Sequence, residues 1–371
     1  MITRLPGVRL LLPLLLGSCL AANALAEDLR VEVMTEGLNH PWSLAFLPDG
    51  RWLVTERAGS LRLVAADDRS QTRQVDGLPA MVTGGQGGLL EVMLDQDFAS
   101  NRLLYLSYSC GSRSANHTCM SRARLDGEQL TDVHELFRSQ PAKNGMAHFG
   151  GRMLQLSDGS LMLTLGDGFD YREQAQKLDS HLGSIVRIRS DGSVPPDNPF
   201  ARTDDDELPE IYSYGHRNVQ GIVWHAASNR IIAHEHGPRG GDEINHIRAG
   251  ENYGWPLATH GVDYTGAKIT PYTSYPGTID PMLDWTPSIA PAGMAVYRGD
   301  MFADWQDDLL VTALAGQALH RVRLTEDGAE TKDILLRDRN QRLRDVRVAS
   351  DGSILLLTDS RNGQILRLSR P

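Results

Sequence analysis

The chain reads as an all-β protein, specifically a six-bladed β-propeller of four-stranded antiparallel sheets, and three observations predict it. Six short runs of β-branched or leucine-rich residues recur through its 371 residues, each divided by Asp-Gly or a substitute for it. Helical periodicity is hard to find between them. Ahead of the first run, residues 29–34 form another strand-like segment, placed to pair with the last run and close a ring.

Taken in order, residues 1–26 carry Arg4 and Arg9, an apolar run over 10–16, and then Ala24-Leu25-Ala26. That order predicts a secretory signal cleaved after Ala26, the run being too short to span a bilayer as a helix. Residues 16–19, Leu-Gly-Ser-Cys, also resemble a lipoprotein box, which would cleave before Cys19 and lipidate it. Export to the periplasm is therefore expected, with residues 27–371 as one propeller domain. No later stretch is apolar enough for a transmembrane segment. Losing Arg4 and Arg9 leaves 35 of the 37 basic side chains against 47 acidic ones, a net charge of −12. Such an acidic surface argues against nucleic acid as a partner. Cys110 and Cys119 remain, nine apart without the CxxC spacing of a metal site, and in an oxidising compartment they suit a small loop disulfide.

The six runs are 46–64, 95–109, 155–168, 225–237, 304–324 and 348–369. Each reads as strand, tight turn, strand, often with a third strand such as 60–64 or 364–368. Their spacing is uneven, so the inserts between them differ in length. A radial array tolerates that because insertions project from one face, whereas a linear solenoid needs capping repeats and more even periods.

The unusual residues collect in the inserts. Residues 83–90, TGGQGGLL, hold Gln86 between two glycine pairs, and 144–152, NGMAHFGGR, do the same for His148. His148 is a candidate proton acceptor near neutral pH, although a lone histidine is more often structural. Residues 212–221, YSYGHRNVQG, present Arg217 and Asn218, while Arg342 and Arg344 in QRLRDV lie at strand spacing on one face. If these arginines converge they supply the forks that a polycarboxylate ligand needs. Residues 234–256, HEHGPRGGDEINHIRAGENYGWP, read as a metal-holding loop: Gly237-Pro238 offers carbonyls in a tight turn and Glu243 a carboxylate, which suits Ca2+. His234 and His236 could face one side of a strand as zinc ligands, but no third ligand stands at a recognisable spacing.

In this order, GGQGGLLEVMLDQDF, HFGGR, LGSIVRI with PPDNPF, SYGHRNVQG, EHGPRGGDEIN with ENYGWP, and QRLRDV resemble the soluble pyrroloquinoline quinone (PQQ)-dependent sugar dehydrogenases, in their aldose sugar dehydrogenase branch. The resemblance covers nearly the whole mature chain. It implies a six-bladed propeller that uses PQQ and calcium to oxidise an aldose sugar at its anomeric carbon to a lactone, passing electrons to an external acceptor. By the same resemblance His148 is the general base, and Gln86, Arg217, Asn218, Tyr264, Arg342 and Arg344 bind the cofactor. Gly237 and Pro238 would give carbonyls to a calcium touching the cofactor, and Glu243 with the Tyr253 carbonyl would hold a second. One departure stands out: the family usually carries a lysine in the segment that matches 312–316 here, where this chain has Ala315. A cofactor-less propeller that binds a sugar or protein, and a calcium-dependent lactonase, are the alternative readings.

Overall fold

The computed structural model describes residues 29–202 and 206–370. The expected signal sequence and Cys19 lie outside the described residues. Six four-stranded antiparallel sheets follow one another along the chain. Blade 1 covers residues 41–75, blade 2 89–138, blade 3 153–214, blade 4 219–285 and blade 5 291–335, while blade 6 joins 343–369 to 30–38. Among the described residues the helical pieces are a single turn at Phe98–Asn101 and three short 3-10 segments.

Blade 6 closes the ring. Its strand Gly363–Ser369 pairs with Arg30–Leu38, setting Arg30 opposite Ser369 and Leu38 opposite Gly363. The closing strand is the expected one, extended by four residues. Main-chain hydrogen bonds thus join the two ends of the propeller and cover what would be an open sheet edge.

The Asp-Gly markers are turns with a shared local device. Gly50, Gly159 and Gly352 take φ angles of 86°, 81° and 81°, a region costly for any residue with a Cβ. The aspartates before them accept the backbone amide two residues on, at Arg51, Ser160 and Ser353. Each also pairs with an arginine of its own blade, Arg51, Arg187 and Arg367 respectively. Aspartate closes the turn and glycine supplies the backbone angle.

Strands Trp52–Glu56, Leu161–Thr164, Leu309–Ala313 and Ile354–Thr358 are buried at every position. Both faces of each blade pack on neighbouring blades, which explains leucine-rich runs in place of strict alternation. Between blades 1 and 2, for example, Leu53, Leu61 and Leu63 meet Leu89, Leu104 and Leu106. Each such leucine contributes about 2 kcal/mol by leaving water. Cys110 and Cys119 form a disulfide across the paired strands Leu103–Ser112 and Ala115–Asp126, with Cα atoms 6.0 Å apart. The expected loop disulfide is therefore a cross-strand link within blade 2.

The first strands of successive blades touch one another all the way round the axis, and there Arg152 contacts every blade. Its guanidinium lies 4.0 Å from the Trp42 ring of blade 1 and 3.5 Å from Glu91 Oε1 of blade 2. It donates to the Gln220 carbonyl of blade 4 at 3.0 Å and the Ala292 carbonyl of blade 5 at 3.5 Å. In blade 6 it reaches Asp345 Oδ1 at 2.9 Å and the Arg344 carbonyl at 3.1 Å. Arg347 pairs with the same two carboxylates, at 2.7 Å and 3.1 Å, so two cations meet two anions in the channel. The matching of charge is what makes so much buried ionic surface tolerable.

Candidate active site

Gln86, His148, Asn218 and Arg342 all stand just before the first strand of their blades, with Arg344 just inside one. Because those strands ring the axis, residues far apart in the chain arrive at one end of the channel. A cavity of about 220 Å3 opens there, lined by Arg57, Gln86, Asn218, Gln220, Arg342 and Arg344 among others. The Trp42, Gln220 and Arg344 parts of its wall rest on Arg152.

The two amides fix the neighbouring loop. Gln86 Oε1 accepts the His148 amide at 2.8 Å, and Asn218 Oδ1 accepts the Gly150 amide at 3.1 Å. His148 itself has φ of 50° and is 3 % exposed. Its Nδ1 lies 2.7 Å from Asp167 Oδ1. Asp167 is held in turn by the Trp255 Nε1 donor at 2.8 Å and the Phe169 amide at 2.8 Å. A carboxylate acceptor assigns the proton to Nδ1, leaving Nε2 as the basic nitrogen. Burial pushes the imidazole below its ordinary pKa; Asp167 works against this, and the charges of Arg217 and Lys143 add to it. Burial likewise opposes ionisation of Asp167, but the hydrogen bond from His148, the charge of Arg217 and the Phe169 amide outweigh it and hold the carboxyl below the usual range. The pair is thus a neutral base oriented by an ionised acid.

Arg217 and Tyr264 fall in a second, outer cavity of about 240 Å3, lined also by Phe169, Pro238 and Trp255. Arg217 Nη1 donates to the Gly237 carbonyl at 2.6 Å and the His236 carbonyl at 3.2 Å, and Nη2 lies 3.5 Å from the Tyr264 hydroxyl. Tyr264 is 58 % exposed and stacks on Phe169, whose ring meets His148 edge-on at 5.0 Å. The expected cofactor residues therefore divide between two adjoining cavities: Gln86, Asn218, Arg342 and Arg344 line the inner one, Arg217 and Tyr264 the outer one. His148 connects them, bound to Gln86 on one side and packed on Phe169 on the other.

The loop expected to hold metal is tightly built. A Cβ at Gly237 would collide with the carbonyl oxygens of Gly240 and Gly241, so only glycine lets these backbones meet. Glu243 pairs in register with Glu235, and Asn245 Nδ2 bridges the two carboxylates at 3.2 and 3.3 Å. Burial first, and then the charge of Glu235, pushes the Glu243 carboxyl well above its ordinary value. Asn245 Oδ1 is buried without a hydrogen-bond partner. Tyr253 stacks on His216, which bonds Glu235 Oε1 at 2.8 Å. Crowded carboxylates beside an unpartnered amide oxygen are a donor set that fits a hard cation. The inner cavity fits an anion: Arg344 Nε is buried without a partner, and burial pulls the Arg344 guanidinium down to about 9. Among the described residues the histidine pair belongs to no close group of metal-type ligands. His236 Nε2 faces the Pro291 carbonyl at 2.7 Å. Among the described residues the only close metal-type cluster contains the disulfide-bonded Cys110 and Cys119.

Fold and site together define a propeller oxidoreductase, and the family model for glucose/sorbosone dehydrogenases matches residues 38–367. The chain belongs to that family and is a sugar dehydrogenase. It is 41 % identical to aldose sugar dehydrogenase YliI of Escherichia coli (strain K12), covering 93 % of this chain and 94 % of the relative. The solved apo-form of the soluble aldose sugar dehydrogenase from Escherichia coli superposes with a TM-score of 0.89 at 40 % identity, over 92 % of this chain and all of that one. The PQQ-bound form of the aldose sugar dehydrogenase from Streptomyces coelicolor matches with a TM-score of 0.73 at 29 % identity, over 92 % and 99 % of the two chains.

Asp167, Glu235, Gln220 and Arg57 are site residues that the sequence reading passes over. Asp167 stands in LGDG, where it reads as another turn marker, and Glu235 stands between two histidines that take the metal reading. Arg57 follows the strand Trp52–Glu56 inside the run 46–64, which was read only for its strands. Ala315 lies on the blade 5 side, its amide donating to the Ile289 carbonyl at 3.0 Å. Blade 5 gives the inner cavity only Ala290 and Leu314.

Proposed function

We propose that this chain catalyses the PQQ- and calcium-dependent oxidation of aldose sugars at the anomeric carbon to lactones, with an external acceptor taking the electrons. The observation that carries this reading is the buried His148–Asp167 pair standing beside a cavity walled by guanidiniums and amides. When bound, PQQ supplies the two-electron acceptor for the sugar, with calcium as the Lewis acid that polarises it. His148 Nε2 takes the proton of the anomeric hydroxyl, and Asp167 offsets the positive charge that then forms on the ring. Gln86 and Asn218 hold the His148 loop from the cavity side, so cofactor binding and base placement use the same amides. Arg342 and Arg344 from the inner cavity, and Arg217 from the outer one, compensate carboxylates on the cofactor. The outer cavity offers the sugar the ring faces of Phe169, Trp255 and Tyr264.

Gly237 and Pro238 would give carbonyls to one calcium, and the Gly237 carbonyl also accepts from Arg217 Nη1. Glu243 and the Tyr253 carbonyl would hold the second. The catalytic propeller spans 27–371 and acts in the periplasm after cleavage at Ala26, or from a lipid on Cys19 in the alternative processing. The Cys110–Cys119 disulfide supports an oxidising compartment.

Purified protein with Ca2+, PQQ, an artificial dye and a panel of aldoses should reduce the dye only when cofactor and metal are both added. His148→Ala should lower the rate by about 10²–10⁴-fold. No reduction across the panel would overturn the proposal. Sugar binding without PQQ binding, measured by calorimetry, would favour a cofactor-less sugar-binding propeller, the reading that the uncharged blade 5 wall supports.

A further inference from the structure

The inner cavity holds more positive charge than its own carboxylate balances. Asp359 is the acid that its arginines share, with 6 % of its side chain exposed. Four basic groups crowd round it: His40 Nδ1 at 2.9 Å, Arg342 Nη2 at 3.1 Å, Arg344 Nη2 at 3.8 Å and Arg57 Nη2 at 3.9 Å. One carboxylate cannot satisfy three guanidiniums, each with five donors. Two of the three contacts lie beyond hydrogen-bond distance, and Arg344 Nε is buried with no partner at all.

We propose that Arg57 is a ligand-binding residue of this cavity, forming with Arg342 and Arg344 a three-guanidinium cradle for the carboxylates of a planar, polyanionic ligand. The inference deepens the cofactor reading and rests on it for the identity of the ligand. Arg57 lies at the end of the strand Trp52–Glu56 on blade 1, whereas the other two arginines come from blade 6. Its amide donates to the His40 carbonyl at 3.0 Å, so its backbone is fixed while its side chain lines the cavity. Blade 5, the neighbour of blade 6 in the ring, gives the cavity only apolar surface at Ala290 and Leu314, so the positive charge there comes from blades 6 and 1. The three guanidiniums also repel one another, for Arg57 and Arg342 both work against the charge on Arg344. Held together with one acid between them, these cations sacrifice stability in the free protein and regain it when an anion binds.

The test is a titration of PQQ into calcium-loaded protein by calorimetry, with wild type, Arg57→Met, Arg57→Gln and the control Arg298→Met. Arg298 is an exposed arginine paired with Asp307. Arg57→Met and Arg57→Gln should weaken binding about tenfold or more, as loss of a charge-assisted contact does, and Arg298→Met should not. The melting temperature of the cofactor-free Arg57 variants should equal or exceed that of wild type. A purely structural partner of Asp359 would instead lower the melting temperature and leave affinity unchanged, and that result overturns the inference. If wild type takes up no PQQ, the cofactor reading fails by itself, and benzene-1,3,5-tricarboxylate becomes the probe. Binding of that tricarboxylate by wild type and its loss in Arg57→Met upholds the cradle; no binding, or equal binding by both proteins, overturns it.

Discussion

At the scale of the residue, the proposed chemistry rests on one histidine and the acid that orients it. Buried His148 is held below its ordinary pKa, so it is neutral and basic throughout the neutral range. The rate should therefore decline with acid only as pH falls through the depressed value, below the ordinary imidazole range. Asp167 raises the pKa of His148, so Asp167→Asn should move that acidic limb to still lower pH, and should cut kcat about 10²–10⁴-fold. A pH–rate profile of both proteins reads the direction; a limb that moves upward contradicts the pairing. The stability sign is related. An unfolded chain protonates His148 near 6.5 while the folded one resists, so this residue's contribution is present above pH 6.5 and lost below it, at up to about 1.4 kcal/mol per pH unit. His148 was legible in the sequence because glycines flank it and the motif HFGGR is distinctive. Asp167 was not, since nineteen residues of separation and a turn-like setting hide a bond that exists only after folding.

At the scale of the element, the Asp-Gly hairpins were the most legible feature, because a side chain and a backbone angle within three residues decide them. The runs of blades 2, 4 and 5 lack Asp-Gly and were recognised through substitutes for it between leucine- and isoleucine-rich strands. The loop 234–256 was legible as a place for hard oxygen ligands, but not in its pairing of Glu243 with Glu235, which depends on strand register. Two buried carboxylates share one amide there, and the proposed cation between them would offset their repulsion. Added Ca2+ should therefore raise the melting temperature and a chelator should reverse the gain, by about 2.7 kcal/mol when the metal is at a hundred times its Kd. Glu243→Gln should lose most of that gain in a thermal scan. Equal stabilisation of variant and wild type would remove Glu243 from the metal site.

At the scale of the whole molecule, ring closure converts distant sequence positions into one site. Arg344 meets Gln220 across 124 residues at 3.1 Å, and Arg152 meets Asp345 across 193. No local pattern reports such distances, which is why the six expected cofactor residues could be named but not divided between two cavities. The same geometry explains how a chain with net negative charge builds a strongly cationic cavity. The arginines come from blades 1 and 6, far apart in the chain, and gather only at the axis, with Arg152 and its matched acids as the floor. The central claim is that this floor carries a quinone cofactor within reach of a sugar whose proton His148 removes. Its most direct test is a single-turnover absorbance measurement, mixing calcium- and PQQ-loaded protein with an excess of aldose and no dye. The account predicts that bound PQQ is reduced in wild type and stays oxidised, though still bound, in His148→Ala. An unchanged spectrum in wild type, or equal reduction in both proteins, would contradict it.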